Sequence, residues 1–216
     1  MKNSLPYYRN ASFTALMFVF LGYIVKFYPE QVSGFDSWIQ SALRGDLPAL
    51  ATSFWTSITV LGNPVVILAI TLVAAFLCCR KKWKIESYFL LACFAAMGVI
   101  STALKYLYQR PRPSIEWLVD TVGYSFPSWH SASTMIIAGA VVIILQQRMK
   151  ASWLRLLAQG ALLVLAALVA LSRIYIGVHY PTDILGGWLL ALLLLQIMYP
   201  TYDHTRFIWR FQGKQL

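Results

Sequence analysis

Lys105, Arg110, Arg112 and Arg173 stand at the ends of long apolar stretches or just beyond them, where a cation is costly and needs a partner. Two of the three histidines, His130 and His179, map to the same side, as does Asp183. Arg presents planar, bidentate donors and Lys a compact point charge, a pairing suited to the oxygens of phosphate. His179 and Asp183 are four residues apart and meet across the first turn of any helix that starts near Pro181. A carboxylate accepting from one ring nitrogen sets the tautomer and leaves the other nitrogen's lone pair free to attack phosphorus. His130 is then placed to protonate a leaving oxygen and afterwards to activate water. Lys105, Arg112 and Arg173 hold the equatorial oxygens as charge redistributes. A lone Arg could snorkel to lipid headgroups, and a lone His could be a satisfied polar group at a helix end. Three cations, two histidines and a carboxylate on one side argue for a site.

Pro127-Ser128-Trp129-His130 opens a span after a polar segment, so the free N–H groups and the positive end of that helix also face the site. Ser128 either caps this helix or donates to a phosphoryl oxygen. The three cysteines, Cys78, Cys79 and Cys93, read as packing residues, and neither they nor the histidines have metal-ligand spacing.

These residues are positioned by membrane helices. At 59% hydrophobic and 12% charged residues, with a mean hydropathy of +0.62, the chain is too apolar for a soluble domain. The expected fold is an all-α integral membrane bundle with about six transmembrane helices, near 11–28, 64–79, 86–108, 130–147, 153–172 and 182–199. Five spans are the main competitor, because the second is short unless it begins upstream of Pro64. No separate soluble domain fits, so 1–216 reads as a single domain. Met1 to Asn10 is only weakly basic and no cleavage site follows, so the first span reads as an anchor rather than a signal peptide.

Between the first two spans, segment 29–63 carries Phe35, Trp38, Ile39, Ala42 and Leu43 at helical spacing, with Asp36, Gln40 and Arg44 on other faces. This predicts an interfacial amphipathic helix, either a connector packed on the bundle or a lip for lipid entry. The net charge of +10 lies at span ends in Arg80-Lys81-Lys82-Trp83-Lys84, Arg148, Lys150, Arg155, Arg206, Arg210 and Lys214, which excludes a nucleic-acid surface. With Lys2 and Arg9, this predicts both termini in the cytoplasm and the phosphate-binding residues facing outside.

KYLYQRPRP, PSWH and SRIYIGVHYPTD resemble, in order, the three signatures of the type 2 phosphatidic acid phosphatase family. The first places Lys105, Arg112 and Pro113, with Arg110 outside it and at most assisting; the second places Pro127, Ser128, Trp129 and His130; the third places Ser172, Arg173, His179 and Asp183. The signature segments are 105–113, 127–130 and 172–183, and the first hundred residues match only in hydropathy. The resemblance implies a six-helix bundle, a phosphohistidine mechanism and no cofactor or divalent metal. It also implies a lipid phosphate substrate, in a bacterial inner membrane, with no obligatory protein partner. Undecaprenyl diphosphate, phosphatidylglycerol phosphate and phosphatidate all remain open as that substrate.

Trp129 replaces the family's usual Gly. Its ring either points away and lines the lipid path, narrows substrate choice, or impairs hydrolysis. The last alternative leaves a lipid-binding or transport protein open, and a phosphotransferase using the same phosphohistidine is open beside it.

Overall fold

The computed structural model describes residues 4–215, so Lys2, counted among the basic residues of one side, lies outside them. Among the described residues all regular structure is helical: α1 (Leu5–Phe27), α2 (Glu30–Arg44), α3 (Ala49–Val60), α4 (Pro64–Arg80), α5 (Lys84–Tyr108), α6 (Trp129–Arg148), α7 (Trp153–Tyr175) and α8 (Pro181–Phe211). The protein is an integral membrane protein. Five of these helices, α1, α5, α6, α7 and α8, are long and apolar enough to cross a bilayer alone. The sixth crossing is broken: α3 and α4 pass the same test together but meet at 54°.

The break follows from local chemistry. Asn63 Oδ1 accepts from the N–H of Val65 at 3.0 Å, and Pro64 starts α4 where its missing N–H costs nothing. Gly62, at the bend, is wedged so tightly that a Cβ would lie 2.6 Å from Val169 Cγ1 and 2.9 Å from His130 Cδ2. The second span therefore begins upstream of Pro64, on a helix tilted away from the rest. Two other boundaries also differ from expectation. α1 starts at Leu5 rather than near 11, and α8 continues through Pro200 to Phe211. At 31 residues, α8 exceeds the roughly 20 residues that a bilayer core requires.

α2 forms where the apolar periodicity placed it and packs on α7 and α8. Asp36 and Gln40 point inward and are buried, while Phe35 and Trp38 are exposed, Trp38 by 70%. Ile39 and Leu43 share the inward face, packing on Ala170, Ile174 and Ile184. In a bilayer this is the favourable arrangement, because lipid solvates Phe35 and Trp38 and the protein supplies partners for Asp36.

α6 is central, in contact with α4, α5, α7 and α8, while α1 packs mainly on α8. Small residues let α6 and α8 approach closely. A Cβ on Gly187 would lie 3.0 Å from the carbonyl of Ser128 and 3.2 Å from the N–H nitrogen of Ala132, and one on Gly186 would overlap the ring of Phe126. Cys78 and Cys93 are buried packing residues, whereas Cys79 is exposed, its Sγ 3.3 Å from Ser87 Oγ. The basic segments gather at one end. There Arg148 pairs with buried Glu86 at 2.5 Å, and the side chain of Gln215 accepts from the N–H of Ile85 at 2.9 Å.

The α6–α8 contact is backbone against backbone, so it cannot yield by rotating a side chain. Gly187→Val is expected to cost about 1–3 kcal/mol and to lower the unfolding temperature in detergent. Gly34→Ala, at an open site within helix α2, should leave it unchanged or slightly raised. Equal unfolding temperatures for the two variants would rule out the close approach of α6 and α8.

Candidate active site

The site is assembled at the end of the bundle opposite the basic loops, from α2, α3, α5, α6, α7, α8 and the segment 109–128. α5 stops at Gln109, whose left-handed φ of 52° turns the chain ahead of Pro111. The segment beyond is not a free loop. Ser125 N–H donates to the carbonyl of Arg110 at 2.9 Å, Leu118 N–H to that of Ile176 at 3.0 Å, and Ser128 N–H to that of Asp183 at 3.1 Å.

His179 and Asp183 meet as their spacing predicts, with Nδ1 3.2 Å from Oδ2. Asp183 is fully buried and His179 is 2% exposed. Oδ2 also accepts from the N–H of Tyr180 at 2.9 Å and from the hydroxyl of Ser125, while Oδ1 accepts from Arg110 at 2.6 Å. An ionised carboxylate only accepts, so Nδ1 carries the imidazole proton and Nε2 presents its lone pair. That nitrogen lies 3.4 Å from Nη1 of Arg112. Burial pushes the His179 imidazole down to about 3, with the Asp183 hydrogen bond and charge pulling the other way. The ring is therefore neutral at physiological pH.

Carbonyl groups aim the cations. Arg112 donates to the carbonyls of Val178 at 2.8 Å, Gly123 at 2.9 Å and Val122 at 3.0 Å, and Lys105 donates to that of Tyr124 at 2.5 Å. Arg173 donates to Thr59 Oγ1 at 2.8 Å, and its buried Nε has no hydrogen-bond partner among the described residues. Ser128 sits at the N-cap of α6, yet its side chain makes no capping bond; Oγ instead accepts from Ser131 Oγ at 3.0 Å. His130 lies one residue into α6, its ring against Gly62 at the bend of the broken span. The indole of Trp129 packs on α5, edge-on to Phe94 at 6.2 Å and over Gly98. Among the described residues, no three His, Cys, Asp or Glu side chains form a group able to hold a metal ion.

Several residues of this cluster were invisible in the spacing. Asp36 of α2 accepts from Arg110 Nη2 at 2.8 Å, from Thr182 N–H at 2.9 Å and from Thr182 Oγ1 at 2.7 Å. Arg110 bridges Asp36 and Asp183, with its guanidinium carbon 3.9 Å above the ring of Tyr180. Burial works against the charge of Arg110, but the two carboxylates hold its pKa above the ordinary value. Ser125 and Thr59 complete the set. The sequence offered only an acid, Asp36, on the amphipathic segment and a second Arg, Arg110, in the RPRP run, with nothing to join them.

Residues 87–206 match the PAP2 superfamily. Phosphatidylglycerophosphatase B of Bacillus subtilis (strain 168) is 34% identical over 119 residues, which are 53% of this chain and 56% of that protein. The chain thus spans about half the length of this relative. Undecaprenyl-diphosphatase of Sulfolobus acidocaldarius is 27% identical over 183 residues, 82% of this chain and 83% of that one. A crystal structure of a transmembrane PAP2 type phosphatidylglycerolphosphate phosphatase from Bacillus subtilis superposes with a TM-score of 0.78 at 27% identity, covering 90% of this chain and 96% of that chain. Since the match takes in more than half of its residues and the bundle superposes nearly end to end on a member, the chain belongs to the PAP2 superfamily.

Proposed function

We propose that the protein is a lipid phosphatase that cleaves a phosphomonoester or diphosphate lipid through a phosphohistidine on His179. The observation that carries this reading is the neutral imidazole, its Nδ1 proton held by Asp183 and its Nε2 lone pair 3.4 Å from a guanidinium suited to a phosphoryl oxygen. Nε2 attacks phosphorus and the P–O bond to the lipid breaks. His130 delivers a proton to the departing oxygen, and Lys105, Arg112, Arg173, Ser128 and the N–H of Trp129 hold the equatorial oxygens. His130 then takes a proton from water, whose oxygen attacks phosphorus. The P–N bond breaks, and inorganic phosphate leaves with His179 restored. None of these steps calls for a metal.

Undecaprenyl diphosphate, phosphatidylglycerol phosphate and phosphatidate all present the required group, and the relatives' names support the first two. On this reading residues 1–216 act as one domain, and the basic end faces the cytoplasm in accord with the positive-inside rule. The site then opens to the outer face, where the spent diphosphate of a carrier lipid is produced. Packing of the Trp129 ring on α5 favours a side chain that shapes the lipid path over one that blocks the phosphate.

Purified wild type is expected to release phosphate in EDTA from at least one of the three lipids and to form an acid-labile phosphoenzyme. His179→Ala should do neither. Activity in that variant would remove His179 as nucleophile, and inhibition by EDTA reversed by a divalent ion would sink the metal-free mechanism. Label passing to a second lipid with little free phosphate would make the protein a transferase. Trp129→Gly is expected to change the ranking of the three lipids while keeping turnover within about tenfold, the scale of a pocket contact. A variant that gains activity over an inert wild type would instead make the native chain a binding protein.

The neutral nucleophile has a pH signature. Between its ordinary value of 6.5 and the lowered value of about 3, an unfolded chain binds a proton at His179 that the folded chain does not. Stability therefore falls as pH drops through that window. The unfolding temperature is expected to fall from pH 7 to pH 4 more steeply for wild type than for His179→Gln. Parallel slopes would show that burial does not hold the ring neutral.

A further inference from the structure

Asp36 and Arg110 lie outside the set of groups that touch phosphate in the proposed reaction, yet they are buried, charged and joined to it. Arg110 is 6% exposed and Asp36 1%. Such a pair is expensive to bury, and replacing it with well-packed apolar residues would often stabilise a protein, so its presence asks for a reason beyond cohesion. The bonding pattern supplies one. Arg110 Nη1 reaches both Asp183 Oδ1 at 2.6 Å and Thr182 Oγ1 at 2.7 Å, while Nη2 reaches Asp36 Oδ2 at 2.8 Å. Thr182 closes the ring by donating its hydroxyl to Asp36 Oδ2 at 2.7 Å.

The charge count explains why a second carboxylate is needed. A guanidinium bonded to Asp183 alone would neutralise it, leaving little field for the ring that must become cationic when Nε2 bonds to phosphorus. Asp36 engages the other side of the same guanidinium, so that Asp36, Arg110 and Asp183 together keep one negative charge beside His179. The fork of Arg110 also pins Oδ1 of Asp183 and thereby turns Oδ2 toward Nδ1. Lys at this position would carry the charge without the rigid fork that reaches both acids.

We propose that Asp36 and Arg110 are positioning residues for the reaction, with Asp36 acting through Arg110 on Asp183 and Thr182 coupling the two. This rests on the phosphohistidine chemistry above. It also gives α2 a part in catalysis: the helix that exposes Phe35 and Trp38 carries, on its inward face, the acid that tunes the nucleophile's partner.

The test is the single-turnover rate of phosphoenzyme formation from whichever lipid wild type hydrolyses, normalised to the fraction of protein that can be phosphorylated. A mere tether would change that fraction and the unfolding temperature but not the rate constant. Asp36→Asn and Arg110→Lys are each expected to slow phosphorylation by about ten- to a hundredfold, by analogy with the loss of a hydrogen-bond partner that orients a metal-bound histidine. KM should stay within about threefold, and the double variant should be little worse than either single one. Should Asp36→Asn fail to fold, Thr182 decides: Thr182→Val should slow the same step, and Thr182→Ser, which keeps the hydroxyl, should restore it. Wild-type rate constants in Asp36→Asn, or in Thr182→Val, would overturn the proposal while leaving the phosphatase reading intact. A wild type that forms no phosphoenzyme would overturn both.

Discussion

A single buried carboxylate sets the terms for the rest of this molecule. Asp183, fully buried, accepts from His179, Tyr180, Ser125 and Arg110. Removing a carboxylate from water costs several kcal/mol unless its lone pairs are filled, and the donors that fill them come from two separate parts of the chain. Tyr180 N–H belongs to the turn that starts α8, Ser125 and Arg110 to the segment between α5 and α6, and Asp36, which balances Arg110, to α2. The segment 109–128, which length alone would leave as a flexible connection, is consequently tied down at both ends. The α6–α8 approach at Gly187 brings Ser128 within reach of the Asp183 carbonyl.

The orientation of α2 follows from the same requirement. In water an amphipathic helix buries its apolar stripe, and that rule would put Phe35 and Trp38 inside. In a bilayer the solvent is itself apolar, so the group that gains most from a protein partner is the charged one. Asp36 turns inward to Arg110 and Thr182, and Phe35 and Trp38 are left on the exposed face. Arg44, at the far end of the helix, holds this orientation by donating to the carbonyls of Tyr175 at 2.9 Å and Glu116 at 3.0 Å.

Much of this was legible from the chain because it rested on local periodicity and fixed spacing. Apolar stretches of sufficient length marked α1, α5, α6, α7 and α8, and the four-residue step from His179 to Asp183 required only the first turn of α8. What could not be read were interactions between segments far apart in sequence. The separation of 74 residues between Asp36 and Arg110, and of 114 between Thr59 and Arg173, leaves no periodic trace. Which face of α2 turns inward could not be read for a physical reason: the hydrophobic pattern reports amphipathicity but not which side the solvent is on.

The broken span joins these two levels. A straight helix from Ala49 to Arg80 would carry its polar residues past the site, whereas the bend at Gly62-Asn63-Pro64 lays α3 against α7 and sets Thr59 on Arg173. The same bend places Gly62 against the ring of His130, so the two groups proposed to handle the leaving oxygen and the phosphoryl oxygens share one backbone feature as support. Only a glycine lets the chain pass there, since any Cβ would press on both Val169 and His130. The irregular backbone is tolerated because Gly62 is buried against α6 and α7 and the N–H groups of Leu61, Gly62 and Asn63 donate to the carbonyls of Ile58, Thr59 and Val60, so the interruption leaves those donors satisfied.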